Sequence, residues 1–365
     1  MNNLGFNKSL KNTNILVAMS GGVDSSVVAA MLKKQGYNVS GATMKLYNQS
    51  DKVNKSKSCC AGKDISDAEK VAKQFDFPHY ILNYQESFYN GVIENFVDSY
   101  SNGITPIPCI KCNQTVKFDN LLNFAKKINA DALITGHYVR RVGGLKNSRL
   151  FTAIDLSKDQ SYFLFATTQK QLDYLRFPLG NYTKENVRKI AKDLNLKVKD
   201  KPDSQDICFV TKGSYTDLIA KIMPESYKKG NILNLEGDII GEHNGIMNYT
   251  IGQRRGIGIG GNEDPLYVIK INSKTNSISV GKKDDLLKTS VIIENVNWLS
   301  KKSKNNLLCK AKIKSDHLPV DGKIRQINND LINFEFKEPV ISIAPGQACV
   351  FYLENQVLGG GWIKK

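Results

Sequence analysis

"AMSGGVDSS", residues 18–26, is the stretch that decides the fold of this chain. A short apolar run, "ILVAM" (15–19), leads into it, and a helical pattern, "DSSVVAAMLKKQG" (24–36), leaves it and is closed by Gly36. A strand, a glycine turn and a helix N-terminus in that order bring backbone N–H groups and the helix dipole to one point, where an anion is stabilised. Gly21 and Gly22 allow the tight turn and the close backbone approach, and Ser20, Ser25 and Ser26 add hydroxyl donors. Asp24 is placed to hold a magnesium ion that bridges phosphates. The stretch has no G-x-x-x-x-G-K-[ST], so it is not the loop that presents a terminal phosphate for transfer, and a bound pyrophosphate suits it better. A Gly-Gly turn with a Ser/Asp cap is the plain alternative.

Outward from the loop, short strands alternate with amphipathic helices. "NVSGATMKLY" (38–47), "HYIL" (79–82) and "ALITG" (132–136) read as strands, and Ile65, Ala68, Val71, Ala72 and Phe75 share one helical face. "CNQTVKFDNLLNFAKKI" (112–128) reads as a further helix and "SYFLF" (161–165) as an aromatic strand. Such alternation predicts a parallel sheet wound with helices on both faces. Near residue 210 the pattern changes to glycine-punctuated β segments, "GDIIGEHNG" and "YTIGQRRGIGIGG" among them. From about 285 strands such as "LLCKAKIK", "NFEFKE" and "ACVFYLENQVLGGGWI" predict a small antiparallel barrel or sandwich. The expected organisation is an α/β domain over 1–210, a small β-rich central domain over 211–280 and a C-terminal β-barrel over 281–365.

Composition sets bounds on partners. Hydrophobic residues at 41% and charged residues at 24% are those of a folded globular chain. No apolar run approaches the roughly 20 residues that span a bilayer, and "MNNLGFNKSLKNTN" lacks the apolar core of a secretion signal, so no membrane partner and a cytoplasmic location are expected. Fifty-one Lys plus Arg against 35 Asp plus Glu give a formal net charge of +16, which favours a polyanionic partner. Seven cysteines, an odd number, argue for reduced thiols with metal, catalytic or core roles rather than a disulfide framework.

Ser-Gly-Gly-Val-Asp-Ser resembles the signature of the PP-loop ATP pyrophosphatases, which cleave ATP between the α and β phosphates. "TPIPCIKCNQTVKF" (105–118), "ITGHYVRR" (134–141), "KDQSYFL" (158–164) and "DSQDICF" (203–209) narrow the choice. With "GEHNGIMNYTIGQRRGIGIGG" (241–261) and "PGQACVFY" (345–352) they resemble, in order and over nearly the whole chain, the bacterial and mitochondrial tRNA-specific 2-thiouridylases. The resemblance implies a PP-loop, adenine-nucleotide α-hydrolase-like first domain. It also implies ATP activation of the 2-oxygen of a wobble uridine as an adenylate, and its displacement by sulfur. It further implies the tRNA acceptors of Lys, Glu and Gln as substrates and a cysteine desulfurase or sulfur-relay protein as donor.

Residue by residue, the resemblance assigns Ala18, Met19, Ser20, Gly21, Gly22, Val23, Asp24, Ser25, Met44 and Gly136 to ATP. It assigns His137, Lys158, Asp159, Gln160 and Gln347 to tRNA. Read alone, Met44 is equally a core methionine, His137 a satisfied structural histidine, 158–160 a charged turn and Gln347 a turn residue. Arg254 and Arg255, flanked by glycines, suit phosphate contact or a solvated turn. The segment holding Lys312 and Lys314 matches the family poorly and receives no assignment.

Three cysteines carry the sulfur chemistry in this reading. Cys208 matches the persulfide carrier and Cys112 the catalytic nucleophile, whose thiol would be activated if a helix N-terminus lay at residue 112. Cys109 stands where many relatives have Asp, which removes the obvious carboxylate. Two routes stay open: a persulfide relay that closes a Cys112–Cys208 disulfide, or an iron–sulfur cluster held by Cys109, Cys112 and Cys208 with one open iron. A four-ligand structural zinc site lacks a second C-x-x-C. Cys59 and Cys60 read as bystanders, and Cys309 and Cys349 as core.

Overall fold

A computed structural model describes residues 1–46, 62–203, 207–210, 214–260, 264–300, 305–328, 330–341 and 343–365. The chain divides into two compact units: residues 1–91, 109–212 and 355–357 form the first, and residues 92–108, 213–354 and 358–365 the second.

In the first unit, strands β1 (Asn14–Ala18), β2 (Asn38–Lys45) and β3 (His79–Asn83) alternate with helices α1 (Val23–Lys34) and α2 (Gly62–Gln74); the short helix α3 (Gln85–Phe88) follows. Further along come β4 (Ala132–Ile134), the hairpin strands β5 (Val139–Val142) and β6 (Arg149–Thr152), the two-residue strand β7 (Leu175–Arg176) and helix α4 (Lys184–Asp193). The sheet runs β3-β2-β1-β4-β7, parallel throughout. β1 has three consecutive buried positions, Ile15 to Val17, because a central parallel strand is covered on both faces. Val27, Val28, Ala29 and Leu32 of α1 and Ala68, Val71 and Ala72 of α2 close on it. Strand order reverses between β1 and β4, and ligands of open parallel sheets bind beyond the strand C-termini at such a point.

The second unit holds a four-stranded sheet and a barrel. Gly230–Leu233 pairs with Ile239–His243 and with Ser277–Gly281, which pairs in turn with Tyr267–Asn272. The helix Tyr215–Ile222 starts in a capping box from Ser214, and Tyr215 stacks on Tyr100, 4.5 Å between ring centroids. Six antiparallel strands close the barrel: Lys288–Trp298, Leu331–Val340, Val320–Gln326, Leu307–Lys312, Ala348–Leu353 and Gln356–Ile363, with the last pairing back onto the first. Closure leaves no free edge and buries the inward residues Ile293, Ile324, Phe334 and Phe351.

Two expected elements differ. The helix expected from residue 112 begins at Pro108 and runs, through a π segment Cys112–Asn120, to Lys127. Proline is at home in the first helical position, where its missing N–H costs nothing. "SYFL" is a 3₁₀ turn rather than a strand, because Asp159 takes both the N–H and the hydroxyl of Ser161 and closes the chain on itself.

Candidate nucleotide and sulfur site

The phosphate loop lies at the reversal point of the sheet. Met19 donates its N–H to the Ala42 carbonyl (2.8 Å), which carries the β1 pairing one residue into the loop. Ser25 then folds back: its Oγ accepts the Ser20 N–H at 3.1 Å and lies 3.3 Å from Ser20 Oγ. Gly21 has φ +72°, and a Cβ there would stand 2.1 Å from the Asp64 carbonyl oxygen, so both backbone and neighbour demand glycine. From the other side of the reversal Gly136, two residues beyond β4, presses on the start of α1; a Cβ there would be 3.0 Å from Ser25 N. Ala18, Met19, Ser20, Gly21, Gly22, Val23, Asp24, Ser25 and Gly136 thus form one cradle. Met44, the penultimate residue of β2 beside the loop's strand, is buried at 8% exposure.

Charged groups crowd this cradle. Asp24 accepts from Lys184 Nζ through both oxygens (2.7 and 2.8 Å) and from the Tyr138 hydroxyl (2.8 Å). Lys184 also meets Asp203 (2.8 Å), which is held by Lys158 (2.9 Å) and Arg188 (3.0 Å) as well. Burial opposes the Asp203 charge, but the bonds and charges of Lys184 and Lys158 outweigh it and keep its pKa low. Burial, then the Asp24 charge and hydrogen bond, push the Tyr138 phenol up, so it stays a donor. Lys201 Nζ donates to the Gly21 carbonyl (2.9 Å), Asp64 (2.5 Å) and Asp67 (3.1 Å), and so props the loop from behind.

The cysteines lie on a helical run that packs on α3. Cys109 sits in its first turn and is exposed; Cys112 opens the π segment and is buried at 6% exposure. The helix N-terminus therefore lies at Pro108, four residues before Cys112, so its dipole acts on the turn of Cys109. Asn113 anchors the run through a bond from Nδ2 to the Phe163 carbonyl (3.3 Å). Cys208 precedes Phe209, whose ring meets that of Phe88 in α3 edge to face at 5.8 Å. Both cysteine segments thus touch α3. Cys109, Cys112, Cys208, Cys309 and Cys349 carry thiols and none forms a disulfide. Among the described residues no three His, Cys, Asp or Glu side chains converge on a point that would hold a single metal ion. Cys309 and Cys349 are barrel core, and burial raises the Cys309 thiol to about 12. Cys59 and Cys60 lie outside the described residues.

The residues expected at tRNA divide. His137 is hydrogen-bonded to Thr135 Oγ1 (2.8 Å), with Phe118 and Phe177 edge-on, and burial followed by the nearby Lys117 charge lowers its pKa to about 3. Asp159 turns inward to the Ala153 N–H (2.9 Å), and Gln160 Oε1 takes the Tyr138 N–H (2.9 Å). Lys158 is spent partly on Asp203. In the second unit Gln347 donates to the Thr105 carbonyl (3.0 Å), and Gly346 beside it has φ +85°. Arg254 and Arg255 are exposed on their turn. Lys184, Lys201, Tyr138, Asp64 and Asp203 were not read from the sequence as site residues. Tyr138 and Asp203 lie inside stretches quoted above, but a lysine in an amphipathic helix carries no local signal.

Family models describe three successive parts: a tRNA methyl transferase HUP domain over residues 13–212, a tRNA methyl transferase PRC-barrel domain over 216–282, and an aminomethyltransferase beta-barrel domain over 288–363. The tRNA-specific 2-thiouridylase MnmA of Orientia tsutsugamushi is 53% identical over 356 residues, 96% of this chain and 95% of that protein. The protein of the same name from Rickettsia massiliae is 51% identical, covering 97% and 98%, and that from Rickettsia canadensis 52%, covering 100% and 98%. Identity of this order over nearly the full length of both partners means that the chain belongs to the tRNA-specific 2-thiouridylase family.

Proposed function

We propose that this protein is an ATP-dependent sulfurtransferase that converts the 2-oxygen of the wobble uridine of tRNA to sulfur, in the cytoplasm, on the acceptors of Lys, Glu and Gln. The observation that carries the reading is that one compact unit holds the glycine cradle and, in segments that each touch α3, Cys112 and Cys208. The cradle N–H groups and the α1 N-terminus would bind the ATP phosphates, Met44 the adenine side, and Asp24 the magnesium ion that accompanies ATP.

The uridine 2-oxygen attacks the α-phosphorus and pyrophosphate leaves, which turns a poor leaving group into AMP. The terminal sulfur of a Cys208 persulfide, loaded by a cysteine desulfurase or relay protein, attacks C2 and AMP departs. Cys112 thiolate then attacks Cys208 Sγ, closing a Cys112–Cys208 disulfide and releasing the 2-thiouridine. An external thiol reduces that disulfide before the next turnover. His137 is neutral at working pH, and the excess of basic residues favours the tRNA backbone. Cys109, in the exposed first turn, stands beside the path without a carboxylate's proton chemistry.

The test is tRNA-dependent release of pyrophosphate from ATP together with thiolation of the tRNA. Cys112→Ala and Cys208→Ala are expected to abolish thiolation and to keep ATP affinity within twofold of wild type. Thiolation at the wild-type rate by Cys208→Ala would remove the carrier assignment, and pyrophosphate release indifferent to tRNA would point to a small-molecule substrate.

A further inference from the structure

The phosphate loop contains no lysine, yet the reaction read above liberates pyrophosphate, a multiply charged anion. We propose that Lys184 is the cation that receives the β and γ phosphates, held until nucleotide arrives by the same Asp24 that then takes the magnesium ion. The proposal rests on the ATP-activation reading and names a residue that the sequence motifs do not reach.

Geometry sets Lys184 apart from its neighbours. It is the first residue of α4, fixed by the Thr183 cap and by its own N–H bonded to Asp155 Oδ2 (2.9 Å). Its side chain is only 11% exposed, and its ammonium lies 5.7 Å above the Tyr138 ring centroid. From there it bridges Asp24 and Asp203, the first of which opens α1 beside the cradle N–H groups. Lys158 and Arg188 reach the cluster through Asp203, while Lys201 is committed to Asp64, Asp67 and a loop carbonyl.

The charge balance makes an exchange possible. If Lys184 leaves, Asp203 keeps Lys158 and Arg188 and remains compensated. Asp24 keeps only the Tyr138 hydroxyl among these partners and needs a cation. Magnesium arriving with ATP supplies one, and the flexible four-carbon stem of the lysine lets the displaced ammonium follow the phosphates. Lys184 and magnesium are thus alternative counter-ions of one carboxylate, so the cradle stays neutralised when empty and gains a phosphate cation when filled.

Equilibrium binding of ATP, inorganic pyrophosphate and adenosine, without tRNA and with or without magnesium, tests this. Lys184→Met is expected to weaken ATP and pyrophosphate roughly 10- to 100-fold, as a lost charge-assisted bond does, and to leave adenosine within twofold. Lys184→Arg should restore most of the loss. Asp24→Asn should free the lysine, so that metal-free pyrophosphate binds more tightly than to wild type while magnesium no longer strengthens ATP binding. Pyrophosphate affinity of Lys184→Met within twofold of wild type, or weaker metal-free pyrophosphate binding by Asp24→Asn, would overturn the proposal. If Lys184→Met does not fold, the Asp24→Asn result decides alone. A wild-type protein that binds neither ATP nor pyrophosphate would instead overturn the activation reading itself.

Discussion

Replacing Gly136 with alanine adds a single Cβ, 3.0 Å from the Ser25 nitrogen and 3.3 Å from Asp24 Cβ. Ordinary contact begins near 3.4 Å, so one backbone must retreat by about 0.4 Å, the difference of these two distances. The retreating element is the first turn of α1, whose N–H groups form the cradle. Overpacking of this kind costs about 1–3 kcal/mol of stability. A shift of 1 Å at a reacting geometry costs on the order of 100-fold, so 0.4 Å should weaken productive ATP binding roughly 10-fold. Three other glycines calibrate the effect. Gly144, with nothing within 4 Å, should accept alanine freely; Gly22, with only Ser20 Oγ at 3.4 Å, should lose little; Gly21, at 2.1 Å from a carbonyl and with φ +72°, should not fold normally. Thermal denaturation and ATP titration on the four variants give the ranking. If Gly136→Ala loses stability and yet binds ATP as wild type does, the close approach is packing alone, and the cradle does not include β4.

Three further outcomes follow from the same contacts. His137, lowered to about 3 in the fold, takes no proton while the unfolded chain takes one near 6.5, so its contribution falls as pH falls between those values. Relative to His137→Gln, wild type should lose about 2 kcal/mol between pH 6.5 and 4.5, and denaturant midpoints showing a constant gap would place the histidine in water. Gln160→Ala leaves the Tyr138 N–H unpaired and should cost about 1–3 kcal/mol; lost tRNA affinity at unchanged stability would make Gln160 an outward contact instead. Lys201→Met strips the cation from Asp64 and Asp67, side chains 12% and 13% exposed, and should cost about 2 kcal/mol and weaken ATP, whereas an unchanged melting temperature would show the prop to be slack.

What the sequence made legible was local chemistry. The cradle could be read because strand, glycine turn and helix cap are contiguous, and a short-range pattern has few foldings. Barrel strands were legible for the same reason, since alternation along Leu331–Val340 shows which side faces in; the pairing of Gln356–Ile363 with Lys288–Trp298 was not, because nothing in either strand names its partner. The two elements that differ from expectation have local causes. Proline in first position starts the helix ahead of Cys109, and Asp159 caps the aromatic run that by itself suggests a strand.

The charged groups around Asp24 were out of reach for a different reason. Lys184 is 160 residues from Asp24 and Lys201 is 180 from Gly21, and a lysine's partner is chosen by the fold rather than by its neighbours in sequence. Motifs identify groups that must sit in a fixed local geometry, such as Gly21 and Ser25. They pass over groups whose task is to arrive from elsewhere with a charge. A loop without its own lysine therefore leaves a question the sequence cannot answer, namely which distant cation serves it. In this chain the answer turns on Asp203: because Lys158 and Arg188 already compensate it, Lys184 is the one cation among these described residues that can leave its carboxylates with only Asp24 in need, and Asp24 is the residue that magnesium would satisfy.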